Sequence, residues 1–231
     1  MSDVCCELHQ LLDKLPMVHY PTNRYSMPNS GIYFFYEKGE LWGHGKSKLR
    51  IVRVGTHYKT NFASKMNDHY VEKIKIFKNK AAPKDRSIFR KNLGRAIIIN
   101  EKINYLNTWN VSFASKINQN IHNSIRNVSL EKRIEEQIGD MLKRNFSFRF
   151  IIHDDKKLER DYMGLESKLI GTLAQCKECT PSKHWLGNHS PIKSIRESGL
   201  WQSQYITHHT LTSLDIKRLK RHITSTIDFF R

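Results

Sequence analysis

Residues 31–57, GIYFFYEKGELWGHGKSKLRIVRVGTH, constrain the fold more than any other stretch of the chain. Two apolar runs, Gly31–Tyr36 and Arg50–Thr56, flank a linker rich in glycine, lysine and charge. Ile, Tyr, Phe and Val suit a half-buried pleated surface, so the pair predicts an antiparallel hairpin with a long, irregular loop. Alternation puts Tyr33 and Phe35 on one face and Ile32 and Phe34 on the other. In the second run Ile51 and Arg53 alternate with Val52 and Val54, and Gly55 ends the pattern. A phenol and a guanidinium then face the same way on neighbouring strands if the register brings them together. Without that register, Tyr33 is only packing in a core hairpin.

The rest of the chain reads as helices around one further strand. Val4, Leu8, Leu11 and Leu12 have helical spacing and Pro16 stops them. Turn residues at Pro21, Asn23, Pro28 and Asn29 then lead into Gly31. After the hairpin, Lys59-Thr60-Asn61 starts a helix expected to reach about Phe77, with Phe62, Met66, Tyr70, Ile74 and Phe77 as its stripe. Lys65 and His69, four apart, lie one above the other at the edge of that stripe. On their own they read equally as a surface pair on a basic helix. Residues 84–99, after Pro83, predict a second helix with Ile88, Leu93, Ala96 and Ile97 inward and Arg86, Arg90 and Arg95 around it.

Residues 100–127 have poor periodicity and are rich in Asn, Lys and Arg. Such a segment can read base edges or can simply be solvated. Ser129 and Glu131 open a helix carrying Ile134, Ile138, Met141 and Leu142, which ends before a strand at Phe146–His153. There Phe146, Phe148 and Phe150 alternate with Ser147, Arg149 and Ile151. The next helix carries Leu158, Tyr162, Leu165, Leu169 and Leu173, with Glu166 at the stripe's edge. A carboxylate there is costly unless it is paired or binds a cation. Glu159 is the alternative, although nearer the helix start it would serve the positive helix end. A basic amphipathic helix closes the chain, with Leu211, Leu214, Ile216, Leu219 and Ile223 against Lys217, Arg218, Lys220, Arg221 and His222.

With 231 residues, a net charge of +17 and a pI near 9.8, the chain favours a polyanionic partner, nucleic acid before an anionic membrane. No apolar run approaches the roughly 20 residues of a membrane span. Four cysteines do not suggest a disulfide framework. The expectation is a soluble, reduced, cytoplasmic protein. Cys176, Cys179, His184 and His189 have nearly the spacing of a zinc knuckle but lack its glycines, so two reduced thiols at a helix end remain the default.

Gly31-Ile32-Tyr33, followed by a partner strand ending in Arg53-Val54-Gly55-Thr56-His57, resembles the opening of the GIY-YIG nuclease superfamily. The restriction-endonuclease-like branch is the more similar one. Ser87-Ile88-Phe89-Arg90 with Leu93-Gly94, then Trp185-Leu186-Gly187 and Ile195-Arg196-Glu197-Ser198-Gly199-Leu200-Trp201, also look like that branch. The resemblance implies an α+β fold, a small three-stranded antiparallel sheet flanked by helices, with helical N- and C-terminal additions. It divides the chain into a lead-in at 1–30, a nuclease core at 31–201 with a DNA-contacting insertion at 100–127, and a basic segment at 202–231.

By the same resemblance the chain is a metal-dependent endonuclease of the type II restriction kind, acting on double-stranded DNA. Glu166 would be the carboxylate ligand of one Mg²⁺ or Mn²⁺. Tyr33 would accept or relay the proton of the attacking water, with Arg53, Lys65 and His69 supplying a field that lowers the phenol's pKa. Lys65 stands in the position of an arginine and Arg53 in that of a second tyrosine. Arg86 and Arg90 would contact the DNA backbone, Arg90 compensating for Lys65. Asn188 loosely fills the role of an asparagine that follows the glutamate. A homodimer is compatible with all of this. The two departures at Arg53 and Lys65 also fit a rival reading, a non-catalytic DNA-binding protein on a decayed nuclease fold. An RNA-directed nuclease ranks last, because no aromatic platform for single strands is evident.

The charge generates a first prediction. Binding to DNA should weaken steeply with salt, since about six to ten phosphate contacts cost about 10³–10⁵ in affinity between 50 and 200 mM salt. Fluorescence anisotropy on a labelled duplex measures it, and a nearly flat dependence would argue against a DNA substrate.

Overall fold

The computed structural model describes residues 4–20, 27–45, 47–57, 62–71, 73–153 and 164–231. After helix α1 (Val4–Leu12), strand β1 (Gly31–Leu41) pairs antiparallel with β2 (Leu49–His57). Next come α2 (Phe62–Tyr70), α3 (Pro83–Arg86), α4 (Ile88–Asn100), α5 (Leu106–Asn110), α6 (Lys116–His122) and α7 (Val128–Asn145). Strand β3 (Phe146–Ile152) pairs antiparallel with the other side of β1, so the sheet order is β2-β1-β3. Helices α8 (Leu165–Ala174), α9 (Lys193–Ser198) and α10 (Ser213–Phe229) complete the chain. This is the expected α+β architecture, a three-stranded antiparallel sheet among helices.

The sheet is the middle layer. Tyr33, Phe35, Phe146, Phe148 and Phe150 pack on one side against Phe62, Met66 and Tyr70 of α2, Phe89 and Leu93 of α4, and Ile134 and Ile138 of α7. Ile32, Phe34, Tyr36 and Ile151 pack on the other side against Leu8 and Leu12 of α1, Leu165 and Leu169 of α8, and Ile216 and Leu219 of α10. Period-two alternation in β1 and β3 therefore feeds two separate cores. Both glycines of the hairpin motif serve close approaches. A Cβ on Gly31 would sit 2.4 Å from the Ile151 carbonyl oxygen, and one on Gly55 would sit 2.4 Å from the Tyr33 hydroxyl.

Several elements differ from the sequence expectation. Strict alternation fails in β2, because Phe35 pairs with Arg53 but Tyr36 with Ile51, leaving Val52 as the extra residue of a bulge. Val52 therefore joins the Tyr33 side while Ile51 and Val54 share the other. Helix α2 stops at Tyr70, because Val71 takes a φ of 22° that no helix continues through, and Phe77 is left exposed. The expected 84–99 helix is two helices, broken at Ser87 (φ −128°, ψ 104°), whose hydroxyl caps α4 by accepting from the Arg90 N–H at 3.2 Å. Ile88 is 53% exposed rather than inward, and so is Leu214 at 71%. Lys59, Thr60, Asn61, Leu158, Glu159 and Tyr162 lie outside the described residues.

Arg90 requires the largest correction. It is fully buried, paired with Glu135 through Nε at 2.7 Å, and it donates to the backbone carbonyls of His69 and Glu135 at 2.7 and 2.6 Å. No part of its guanidinium is left for a phosphate; it ties α2, α4 and α7 together. Arg126 is spent similarly, on Glu131 and on the carbonyls of Phe77, Lys78 and Lys80. In the 100–127 segment, then, the buried cation is structural, while Asn104, Asn107 and Asn120 are exposed. Among the described residues no helix is long and apolar enough to cross a membrane.

Removing one partner of a buried pair strands the other charge, at a cost of about 3–5 kcal/mol. Arg90→Ala should lose about that much in urea denaturation. Arg86→Ala, whose side chain is 59% exposed, should be almost neutral. Equal effects would contradict the structural role given to Arg90.

Candidate active site

Tyr33 lies on the middle strand, opposite Gly55 of the edge strand β2. With no Cβ at Gly55, the phenol extends over β2 toward its outer edge. Its hydroxyl is 3.2 Å from His69 Nε2, and His69 Nδ1 is 2.8 Å from Ser87 Oγ. A buried Tyr33–His69–Ser87 chain thus links β1, α2 and the α3–α4 junction. Arg53 is on the same side of the sheet as the phenol, as the expected pairing requires, and its charge favours the phenolate.

Arg53 is held from two directions. Its guanidinium lies 5.0 Å from the centre of the Phe89 ring and donates to the Trp201 carbonyl at 2.7 Å. Trp201 is itself fixed: its N–H donates to Val52 O at 2.7 Å, and its indole N–H donates to Glu37 Oε2 at 2.9 Å. Trp185 donates to that same oxygen, also at 2.9 Å. Burial pushes the Glu37 carboxyl up to about 7 even though both indoles oppose the shift. Gln202 accepts from Val54 N–H at 2.8 Å, so the segment after α9 covers the open edge of β2. Nε of Arg53 has no protein partner and is enclosed.

Glu166, half-buried in the first turn of α8, comes to the same edge from the other side of the sheet. Thr56 Oγ1, one residue beyond Gly55, donates to Glu166 Oε2 at 2.8 Å. Arg53, Val54, Asn92, Glu166, Gln202 and Tyr205 line a common cleft of about 310 Å³. Its donors suit a hard cation, which takes one carboxylate and several waters. Lys65 is half-buried and within the field of Arg53; burial holds its pKa below the usual lysine range, with Asp68 opposing.

Electrostatics revise the expected role of His69. Burial first, then the charges of Arg53, Lys65 and Arg90, hold its pKa well below 6.5. A neutral imidazole cannot supply a positive field, so His69 is a hydrogen-bonding partner of the phenol instead. Burial also raises the Tyr33 pKa, Arg53 opposing and Glu166 reinforcing the shift. Of the two, desolvation wins, and the phenol is protonated at neutral pH.

Arg53 and Glu166 therefore share the cleft, the Tyr33–His69 pair is buried on Arg53's side of the sheet, and Asn188 and Arg86, like Arg90, do not line the cleft. Asn188 Nδ2 donates to the carbonyls of Ser182 and Lys183, closing its own loop away from the cleft lining. Arg86 is exposed on α3, 3.8 Å from Asp68. Sequence reasoning gave no role to Ser87, Thr56, Glu37 or Gln202. A carboxylate at position 37, continuing an aromatic strand, was the available signal for Glu37.

Comparison with protein-family models matches residues 3–228 to one described as a GIY-YIG domain. Comparisons with curated proteins and with solved structures find no match.

The depressed pKa of His69 has a consequence for stability. Below its unfolded value of 6.5 the unfolded chain binds a proton that the folded chain refuses. The contribution of neutral His69 is thus present above pH 6.5 and is lost as pH falls toward the depressed value, at about 1.4 kcal/mol per pH unit. Urea denaturation between pH 7 and pH 5 should show this one-proton component in the wild type and lose it in His69→Gln. Parallel curves would contradict a neutral His69.

Proposed function

Because the chain belongs to the GIY-YIG family, we propose that its cleft hydrolyses phosphodiester bonds in double-stranded DNA, as a metal-dependent, sequence-specific endonuclease of the type II restriction kind. The supporting observation is that Arg53 and Glu166 line one cleft beside Gly55, over which the buried Tyr33 phenol packs. Glu166 would hold Mg²⁺ or Mn²⁺, which supplies charge neutralisation at the scissile phosphate and at the departing 3′ oxygen. Thr56 orients the carboxylate for that task.

The chain's own groups handle the proton. Tyr33, protonated at rest, takes a proton from the attacking water as it passes its own to His69 Nε2. The neutral imidazole is ready to accept at 3.2 Å. Ser87 Oγ has two acceptor sites, one taken by the Arg90 N–H, and the other suits Nδ1–H of His69. That tautomer leaves Nε2 unprotonated. Surrounding cations disfavour the imidazolium, so His69 returns its proton to Tyr33 as Tyr33 gives one up to the departing 3′ oxygen or a cleft water, which resets the pair. Arg53 and Lys65 supply positive charge to the phosphate; lysine does so as a point charge rather than a bidentate fork. Exposed Arg86, the amides of the 100–127 segment and the basic face of α10 extend the DNA footprint. The branch resemblance at Ser87–Gly94 and Trp185–Trp201 supports the restriction-type reading.

Glu166→Gln should abolish cleavage while leaving metal-free DNA affinity intact or slightly higher, because it removes a ligand and a repulsive charge but no phosphate contact. Full activity would move the metal site elsewhere, with Glu159 the first position to test. Tyr33→Phe keeps the ring packed on Gly55 and should lower the single-turnover rate about 10²–10⁴-fold; a loss below about tenfold would assign Tyr33 to packing. Lys65→Ala should be severe and Lys65→Arg mild. Equal, small losses in Lys65→Ala and Arg53→Ala would remove both cations from the scissile phosphate.

A further inference from the structure

Far from the cleft, at the hairpin end of the sheet, three distant chain segments meet. Cys5 comes from α1, His44 from the β1–β2 turn, and Cys176 and Cys179 from the turn after α8. One ligand atom from each lies within 4.8 Å of all the others. The Cys5 and Cys179 sulfurs are 3.8 Å apart, and His44 Nε2 is 3.2 Å from the Cys176 sulfur. We propose that Cys5, His44, Cys176 and Cys179 bind one Zn²⁺ in a closed, tetrahedral, structural site.

The distances carry the argument. Two Zn–S bonds of about 2.3 Å at a tetrahedral angle place their sulfurs roughly 3.8 Å apart, whereas a disulfide needs about 2.05 Å. Two cysteines separated by two residues are the usual pair contributed by one turn. The surroundings are also built for bound sulfur. The backbone amides of Gly43 and Cys179 favour the thiolate forms of Cys179 and Cys176 respectively, as outer-shell donors to metal-bound sulfur do. A Cβ on Gly43 would come within 1.7 Å of the Glu178 carbonyl oxygen, so the hairpin turn lies directly on the Cys176–Cys179 turn.

The nearest competing ligand is already committed. His9 Nδ1 donates to Cys5 O at 2.9 Å, and its Nε2 accepts from Ile51 N–H at 3.3 Å. His9 instead stacks on Trp42 (5.2 Å, 14°), which positions the turn bearing His44. The sequence had paired Cys176 and Cys179 with His184 and His189, but both of those histidines are exposed and outside the cluster. Of the four cysteines, only Cys6 stays out of the cluster.

On binding, each of the three thiols releases one proton to solvent, and three thiolates with a neutral imidazole fill the coordination sphere. Soft sulfur separates this site from the hard-cation chemistry at Glu166. Its structural consequence reaches that carboxylate. Cys176 follows α8 by two residues, and Glu166 occupies the first turn of the same helix, about 15 Å away at 1.5 Å per residue. Zinc would thus staple the far end of the helix that presents Glu166, together with α1 and the hairpin.

The test uses the full chain, exchanged against a magnesium buffer and analysed for metal by mass spectrometry. The expectation is about one equivalent of zinc per chain. Growth with Co²⁺ should give the intense visible bands and ultraviolet charge transfer of tetrahedral thiolate coordination. Titrating the thiols with a mercurial should release the zinc in step with sulfur modification. Cys179→Ser and His44→Ala should lose zinc and several degrees of melting temperature, whereas Cys6→Ser, His184→Ala and His189→Ala should keep both. The wild-type cobalt spectrum stands even if the cysteine variants fail to fold. Wild type that stays metal-free after refolding with excess Zn²⁺ would overturn the proposal. So would zinc that survives His44→Ala but is lost in His184→Ala. Neither readout depends on DNA cleavage.

Discussion

The Tyr33 phenol reaches the edge of the sheet only because Gly55 offers no side chain beneath it, and the remaining site geometry follows from that contact. Tyr33 sits on the strand buried between two helical layers, a secure position but one remote from any substrate. Gly55 lets the phenol lie over the edge strand, whose nearby residues Arg53 and Val54 line the cleft. Arg53 and Thr56 flank that glycine on the same strand, and Thr56 hands the contact on to Glu166. Elements on opposite faces of the sheet are thereby coupled through one narrow gap. Any side chain at position 55 would displace the phenol.

Burial, more than the sum of nearby charges, decides protonation here. Three cations surround the Tyr33–His69 pair, yet the phenol keeps its proton and the imidazole refuses one. Cations lower a phenol's pKa, but transfer to a dry interior raises it, and the interior wins. The result favours proton transfer between two neutral groups over a standing phenolate. Arg53 is held at the cleft by the Trp201 carbonyl and the Phe89 ring. The Glu37–Trp185–Trp201 clamp then fixes that carbonyl.

Local patterns made the sheet legible from sequence. Alternating aromatics named β1 and β3 and their two faces, and Leu, Ile and Phe at helical spacing named α1, α2, α7 and α10. The chemistry-bearing hairpin was legible for the same reason, since Tyr33, Arg53 and Gly55 lie in one short stretch. What could not be read depends on partners far along the chain. Arg90 looks like a phosphate ligand until Glu135, 45 residues on, neutralises it. Cys5 and His44 join Cys176 and Cys179 across separations of 174 and 132 residues, so no spacing rule could have grouped them. The bulge at Val52 and the helix break at Ser87 are local, but each yields to tertiary packing rather than to propensity.

The proposed hydrolysis of phosphodiester bonds rests on a cleft lined by Arg53 and Glu166, with the Tyr33–His69 pair buried beside it. The most direct measurement incubates wild-type protein with a sequenced supercoiled plasmid and Mg²⁺, then maps the ends. The account predicts linear products with ends at fixed sequence positions, formed only when Mg²⁺ or Mn²⁺ is present. A plasmid that remains intact at saturating protein, while gel shift shows it bound, would contradict the account and leave a DNA-binding protein on a nuclease fold.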